Sequence, residues 1–444
     1  MNRRWFVWRK AIGLLLLGVI LVSGSITHKA FASEDQITLK LLLVDVNVYV
    51  NGINDIIKEF EKTSAGKNVK FQIETAPFTQ LFAKEEVAAA GGSRYDIMMI
   101  DGPLTKHFAY YKILTPIGSH LSAFEKNQWV KPSIVEGSYK GQLYTVPLVQ
   151  SLSMMFYNKS MTDAANIYPP QTLKDAWTYQ EALNAWQKTT VDNDGDGKPE
   201  IWGFWASQGT SRNDYTHGLF QRMAGSKKSK GFTGINTDGI TIKGHLDSPE
   251  SVKGLQAYQD LYQVNKVSPL EPLPNMFFSG KVAFIFAPDN YFGELKRLFP
   301  NGGFKMGVTP IPVFPGGTQM SHTGSWHLGI PVTTTHLNKA VAFLRFASGF
   351  TGAKIMYSNT QQIPAQKKLL NMLPEYNEYP KRLFKEGLEK IGVARIQTPG
   401  YQEYQVLERE MLDNIARGAN VRETVAAYAD RMTAALAKYK GWDK

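Results

Sequence analysis

The 444-residue chain contains no cysteine. That excludes a disulfide framework, thiolate metal sites and a lipid-modified cysteine, and leaves the fold to stand on burial alone. Catalytic signatures are missing too. There is no G-x-S-x-G elbow, no H-E-x-x-H pair, no Walker loop and no G-x-G-x-x-G. The 8 histidines are scattered, and the closest pair, His322 and His327, sits too far apart on an extended segment to converge on a metal. Dense basic blocks are absent apart from Lys227-Lys228-Ser229-Lys230, which reads as a solvated loop, so nucleic acid is not expected as a partner. No internal repeat or low-complexity tract interrupts the chain. The longest apolar run, Ile12 to Val22, falls short of the roughly 20 residues that a membrane-spanning helix needs.

That run belongs to a recognisable leader. Arg3, Arg4, Arg9 and Lys10 precede it, and Ala30-Phe31-Ala32 follows with small residues at the spacing of a cleavage site. Residues 1–32 therefore read as a secretory signal peptide. Of the net charge of +11, five units lie in those residues, which leaves +6 for the rest. The hydrophobic fraction of 43% and the length leave room for two lobes with a large core. With 9 Trp, 20 Tyr and 24 Phe, the chain has aromatic side chains enough to build that core and still stack on a ligand.

Periodicity sets out the first lobe. Ile37–Val44 reads as a buried strand; Ile53, Ile56, Ile57 and Phe60 mark one helix face; Asn68–Glu74 alternates as a second strand. A helix from Phe82 through Ala90 stops at Gly91-Gly92, and a third apolar strand ends at Asp101. This alternation predicts a parallel sheet whose ligand lies beyond the carboxyl ends of its strands. Asp45, Phe78 and Asp101 follow the three strands and are placed at that mouth. Further on, Thr178 to Glu181 forms a capping box, Ile240–Leu246 reads as a short strand, Ser248-Pro249 opens a helix, and Phe277–Phe286 reads as a strand. Asn420 and Glu423 cap a last helix. Trp186 and Trp202 are assigned to the core.

The stretch Gly137–Lys159 organises the whole. It opens on hairpin residues and becomes a β-rich run from Leu143 to Tyr157, interrupted by Pro147. Proline cannot donate to a sheet ladder, so it is expected at an edge or where a strand leaves one sheet for another. The strings KGQLYTVP and SMMFYNKS, with AAAGGSRYDIMMIDG before them and FFSGKVAFIF after, resemble the extracellular solute-binding proteins of carbohydrate ABC importers. Each string is loose; their fixed order from Ile37 to the end carries the resemblance. It implies an α/β, two-lobed periplasmic-binding-protein-like fold, each lobe a mixed, mostly parallel sheet flanked by helices and joined by hinges. Residues 36–147 with 307–347 would form lobe 1, and 148–306 with 348–444 lobe 2, with crossings near Pro147, Thr309 and Ser348. Asp96 is expected to cap or pair within its lobe.

The resemblance implies a sugar or oligosaccharide bound between the lobes, delivery to ABC permease subunits, a monomer, no catalysis and a periplasmic or cell-surface location. Trp205, Tyr215, Tyr291 and Trp326 are candidates to stack on sugar rings, whose hydroxyls need carboxylates, amides or guanidinium groups. Arg212 and Asn213 lie where the second lobe of the family meets its ligand. Asp289, Asn290 and Tyr291 occupy the turn that reaches the ligand, and Asp289 joins Asp45 and Asp101 as a cleft carboxylate. Arg212 and the net charge of +6 suit an acidic glycan such as a uronate oligosaccharide; a neutral one is equally compatible. The alternative is a secreted glycoside hydrolase or lyase using the cleft carboxylates, whose separation is a property of the fold.

The sharpest local pattern is Asp192-Asn193-Asp194-Gly195-Asp196-Gly197-Lys198-Pro199-Glu200. Calcium loops take oxygens from positions 1, 3, 5 and 9 and a backbone carbonyl from position 7, with glycine at 6. Asp192, Asp194, Asp196, Lys198 and Glu200 fit those places, but position 12, a bidentate glutamate in such loops, is Gly203. A structural calcium ion is therefore a candidate here, against a plain turn-rich connection.

Overall fold

The computed structural model describes residues 36–91 and 94–442, so the signal peptide expected over 1–32 lies outside the described residues. The first lobe follows the periodicity. Strands β1 (Ile37–Val44), β2 (Val69–Ala76) and β3 (Ile97–Asp101) alternate with helices α1 (Asn47–Phe60) and α2 (Phe78–Ala89). β1 pairs in parallel with β2, Ile37 opposite Val69, and with β3, Leu41 opposite Ile97. The buried face of α1 carries Ile53, Ile56, Ile57 and Phe60. Asp96 is a lobe-internal pin: one oxygen accepts from the Lys40 amide at 2.9 Å and the other from Thr334 at 2.6 Å.

The crossing strand is β4 (Thr145–Asn158), buried along its whole length. Beyond it come α3 (Tyr179–Thr189), β5 (Trp202–Trp205), α4 (Pro249–Gln263), β6 (Val282–Pro288), α5 (Tyr291–Leu298) and β7 (Met306–Thr309). The chain then returns through β8 (Ser321–Gly329), α6 (Leu337–Ala347) and β9 (Gly392–Ala394), and closes with α7 (Tyr401–Ala416) and α8 (Val421–Leu436). Thr178 and Glu181 form their capping box on α3, and the Asn420 side chain accepts from the Glu423 amide at the start of α8.

β4 belongs to both halves of the sheet. From Thr145 to Leu152 it pairs antiparallel with β8, which in turn pairs with β3. From Ser153 onward it pairs with β6 on one side, and from Met155 with β7 on the other. The strand order is β2-β1-β3-β8-β4-β6-β5, parallel towards both ends and antiparallel through the middle. The change of partners falls at Leu152 and Ser153, downstream of Pro147. The proline sits instead in a bulge, where the register slips between Trp326 and His327; the bulge absorbs its missing donor inside the sheet. Because both halves share this strand, the chain from Gln36 to Lys444 forms one contact unit with two lobes rather than two separable domains.

Two expected strands differ. Ile240–Leu246 forms no strand: the amides of Ile240 and Thr241 go to Asp238 and that of Ile242 to the Thr433 hydroxyl, so side chains satisfy what a neighbouring strand would have. The strand expected from Phe277 begins only at Val282. Phe277 and Phe278 lie before a turn at Gly280 and pack against Tyr291 and Phe304. No helix among the described residues is long and apolar enough to cross a membrane.

Candidate functional site

A cleft of about 450 Å³ opens where β4 changes partners. The first lobe lines it with Tyr49 from α1, Phe78 at the start of α2, Asp101 at the end of β3, and Ser325 and Trp326 from β8. The facing wall is the polar segment Ser207–Thr216. The aromatic floor is continuous: Trp326 lies 5.8 Å from Tyr49 and 6.0 Å, edge to face, from Phe78. Phe78 is 55% exposed, a ring held in water at the mouth rather than in a core. Tyr215 reaches across, its hydroxyl 2.8 Å from Ser151 on β4. Gly324 permits that approach, because a Cβ there would lie 3.3 Å from the Tyr215 ring and 3.2 Å from Ser151.

Apart from Arg409, the charged groups in the lining are each committed to a protein partner. Arg395 donates to both oxygens of Asp101, at 2.6 and 3.2 Å, and to Tyr401 at 3.0 Å. Its guanidinium covers the Tyr215 ring at 5.2 Å. Tyr401 and Gln405 donate to the two oxygens of Asp214. Burial pushes the Asp101 carboxyl up and the Arg395 cation partly offsets this. Arg212 borders the cleft but turns its nitrogens inward, to Tyr258 at 3.0 Å, Asp413 at 2.8 Å and the Leu270 carbonyl at 3.2 Å. Asn213 holds the wall, donating to Ser207 and accepting from Thr216.

Of the residues singled out in the sequence, Phe78, Asp101, Arg212, Asn213, Tyr215 and Trp326 come together here. Four lie outside the lining. Asp45 stays exposed at the solvent edge. Trp205 is 1% exposed, with its indole N–H on the Gly209 carbonyl at 2.9 Å, so it props the wall from behind. Tyr291 is packed among Phe156, Phe277 and Phe278. Asp289 is buried with one oxygen on the Ile363 amide. The turn Asp289-Asn290-Tyr291 does reach the cleft, but through Asn290. Sequence reading missed Tyr49, Ser151, Asp214, Gln362, Arg395, Gln405 and Arg409. The spacing of Tyr401, Gln405 and Arg409 on one helix face was an available signal; Arg395 had none.

Ser325, a cleft hydroxyl, is in contact with both an acid and an imidazole. It donates to the buried Glu136, and His327 Nε2 lies 2.8 Å from it. Burial holds His327 down to about 3, so the ring is neutral, and its Nδ1 lies 2.9 Å from the Thr145 hydroxyl. The serine hydroxyl is thus directed at the glutamate rather than at the imidazole, unlike the serine of a nucleophile relay.

In the acidic loop, Asp192, Asp194 and Asp196 bring carboxylate oxygens within 4.8 Å of one another. The oxygens of Asp192 accept from the Gly195 and Gly197 amides, and Glu200 turns to Asn193. Gly203 faces the Trp186 carbonyl, 1.9 Å from where a Cβ would stand, so no side chain fits at that position.

A family model described as "Bacterial extracellular solute-binding protein" matches residues 55–385. The arabinooligosaccharide-binding protein of Bacillus subtilis is 20% identical over 347 residues, covering 76% of this chain and 75% of that protein. An ABC substrate-binding protein from Listeria monocytogenes, solved with cycloalternan, superposes with a TM-score of 0.74 at 20% identity, over 91% of this chain and 100% of that one. The maltose/maltodextrin-binding domain MalE of Bdellovibrio bacteriovorus, bound to maltotriose, gives 0.75 at 17% identity, over 90% and 100%.

Proposed function

The chain belongs to the bacterial extracellular solute-binding proteins, and from that premise we propose that it binds a sugar or oligosaccharide in the interlobe cleft and hands it to the permease of an ABC importer. It acts outside the cytoplasmic membrane, as a monomer, and makes or breaks no bond. The observation that carries this reading is the cleft itself: Tyr49, Phe78, Tyr215 and Trp326 offer ring faces, and hydroxyls and amides surround them. Apolar C–H faces pack on such rings while hydroxyls are met by the polar rim. The Listeria and Bdellovibrio proteins, each solved with an oligosaccharide, support a glycan as the ligand class.

Nothing supports the alternative of a glycoside hydrolase or lyase. Asp101 is held by Arg395, and Asp214 accepts from Tyr401 and Gln405, so neither lining carboxylate is free to exchange a proton with a substrate. The Asp192–Glu200 loop is proposed to hold a calcium ion that braces its lobe and touches no ligand.

Titrating the exported form of the protein with arabino-, malto- and acidic oligosaccharides is expected to give a saturable change in tryptophan fluorescence with no new reducing ends. Trp326→Ala is expected to cost at least about 1 kcal/mol of affinity, as a buried aromatic anchor does. Product formation, or full affinity in the variant, overturns the reading.

A further inference from the structure

α7 runs along the cleft with Tyr401, Gln405 and Arg409 on one face, each one turn beyond the last. The first two are tied to Asp214. Arg409 is exposed and, among the described residues, has no hydrogen bond, ion pair or ring contact, although it lines the cleft. The other lining cations differ: Arg395 is spent on Asp101 and Arg212 on Asp413.

The acids that Arg409 could reach along its own helix are also taken. Asp413, one turn on, gives one oxygen to Arg212 and the other to Arg417. Glu408 is buried against Tyr404, and Glu410 pairs with Arg431. A guanidinium left unmatched among matched acids, at the wall of the cleft, lacks only its counter-ion.

We propose that the cleft takes a glycan carrying a carboxylate, and that the Arg409 guanidinium receives that carboxylate. This rests on the sugar-binding reading above and narrows it. The planar fork of arginine matches a carboxylate in two parallel hydrogen bonds. A ligand seated between the walls strips water from them. A neutral ligand would leave the cation desolvated without a partner, whereas a uronate residue compensates it. The acceptors in the lining point the same way: Asp101 and Asp214 are already filled by donors, so the uncommitted charge in the cleft is a donor awaiting an acceptor.

The test uses matched pairs in calorimetry: oligogalacturonides, glucuronate-substituted xylooligosaccharides and oligoalginates, each beside the same oligomer with its carboxylates reduced to alcohols. At least one acidic oligomer is expected to bind roughly tenfold or more tighter than its reduced partner, the scale of one charge-assisted hydrogen bond. The advantage should shrink between about 50 mM and about 500 mM salt. Arg409→Gln should lower the acidic affinity and erase the difference within the pair, Arg409→Lys should restore part of it, and melting curves report whether either variant is folded. If neutral and reduced glycans bind as well as the acids, and Arg409→Gln changes neither, the carboxylate inference falls while the sugar-binding reading stands. If no glycan binds in either form, both fall.

Discussion

Asp289 shows at the scale of one residue how a chain position can be right and a role wrong. It follows β6 as a cleft residue should, yet it is 1% exposed, with Oδ2 on the Ile363 amide and Oδ1 unpartnered. Burial raises its carboxyl from 3.8 to about 8, opposed chiefly by that amide. The unfolded chain ionises near the ordinary value, so between the two the native state holds a proton the unfolded state has lost. Stability therefore falls as pH rises through that window. Asp289→Asn keeps an oxygen for Ile363 and cannot ionise. Its melting temperature minus that of the unaltered protein is expected to climb steadily from pH 5 to about pH 8. A constant difference across that range would show that Asp289 is ionised in the fold. Sequence order could not separate Asp289 from Asn290, because which side chain of a tight turn faces the cleft is settled by packing on both sides. Trp326 and Tyr215 were legible as aromatics suited to stacking on a sugar; Arg395 was not, since it meets Asp101 only through tertiary contact.

At the scale of elements, what could be read was whatever a local pattern determines. The alternation of β2, the amphipathic face of α1 and the caps of α3 and α8 depend on neighbours in sequence, and each was visible there. Pro147 was legible as an exception but not as to its kind, because a bulge and a strand exit both answer a missing donor. The Asp192–Glu200 loop is the same problem in another element. Its gathered carboxylates repel one another, and the exposed amide hydrogen bonds around them supply little compensation. If calcium is the missing charge, millimolar calcium should raise the melting temperature and chelator should lower it, with Asp194→Asn removing the response. Superimposable melts in calcium and chelator would leave the loop a set of side-chain-capped turns. With Gly203 sealed against Trp186, the site lacks the bidentate ligand of tighter loops, so the expected affinity lies in the weaker range for such sites.

The whole molecule turns on the strand that belongs to both lobes. β4 is paired on both sides of Leu152 and Ser153, and the Ile363 segment is tied to the same place, accepting from the Gln150 amide and donating to Asp289. If the lobes rotate on binding a ligand, these shared contacts are where the hinge is expected. A ligand that touches both walls, Trp326 on one and Tyr215 on the other, binds the closed form better and draws the equilibrium towards it. At a hundredfold excess over Kd such a ligand stabilises the fold by about 2.7 kcal/mol. Small-angle scattering should then show a smaller radius of gyration in step with the rise in melting temperature. Replacing Gly324 by Val, which pushes Tyr215 off Ser151, should weaken both responses together. A thermal shift without any contraction would mean that the lobes are already shut, and that the ligand fills a fixed cavity rather than selecting a closed state.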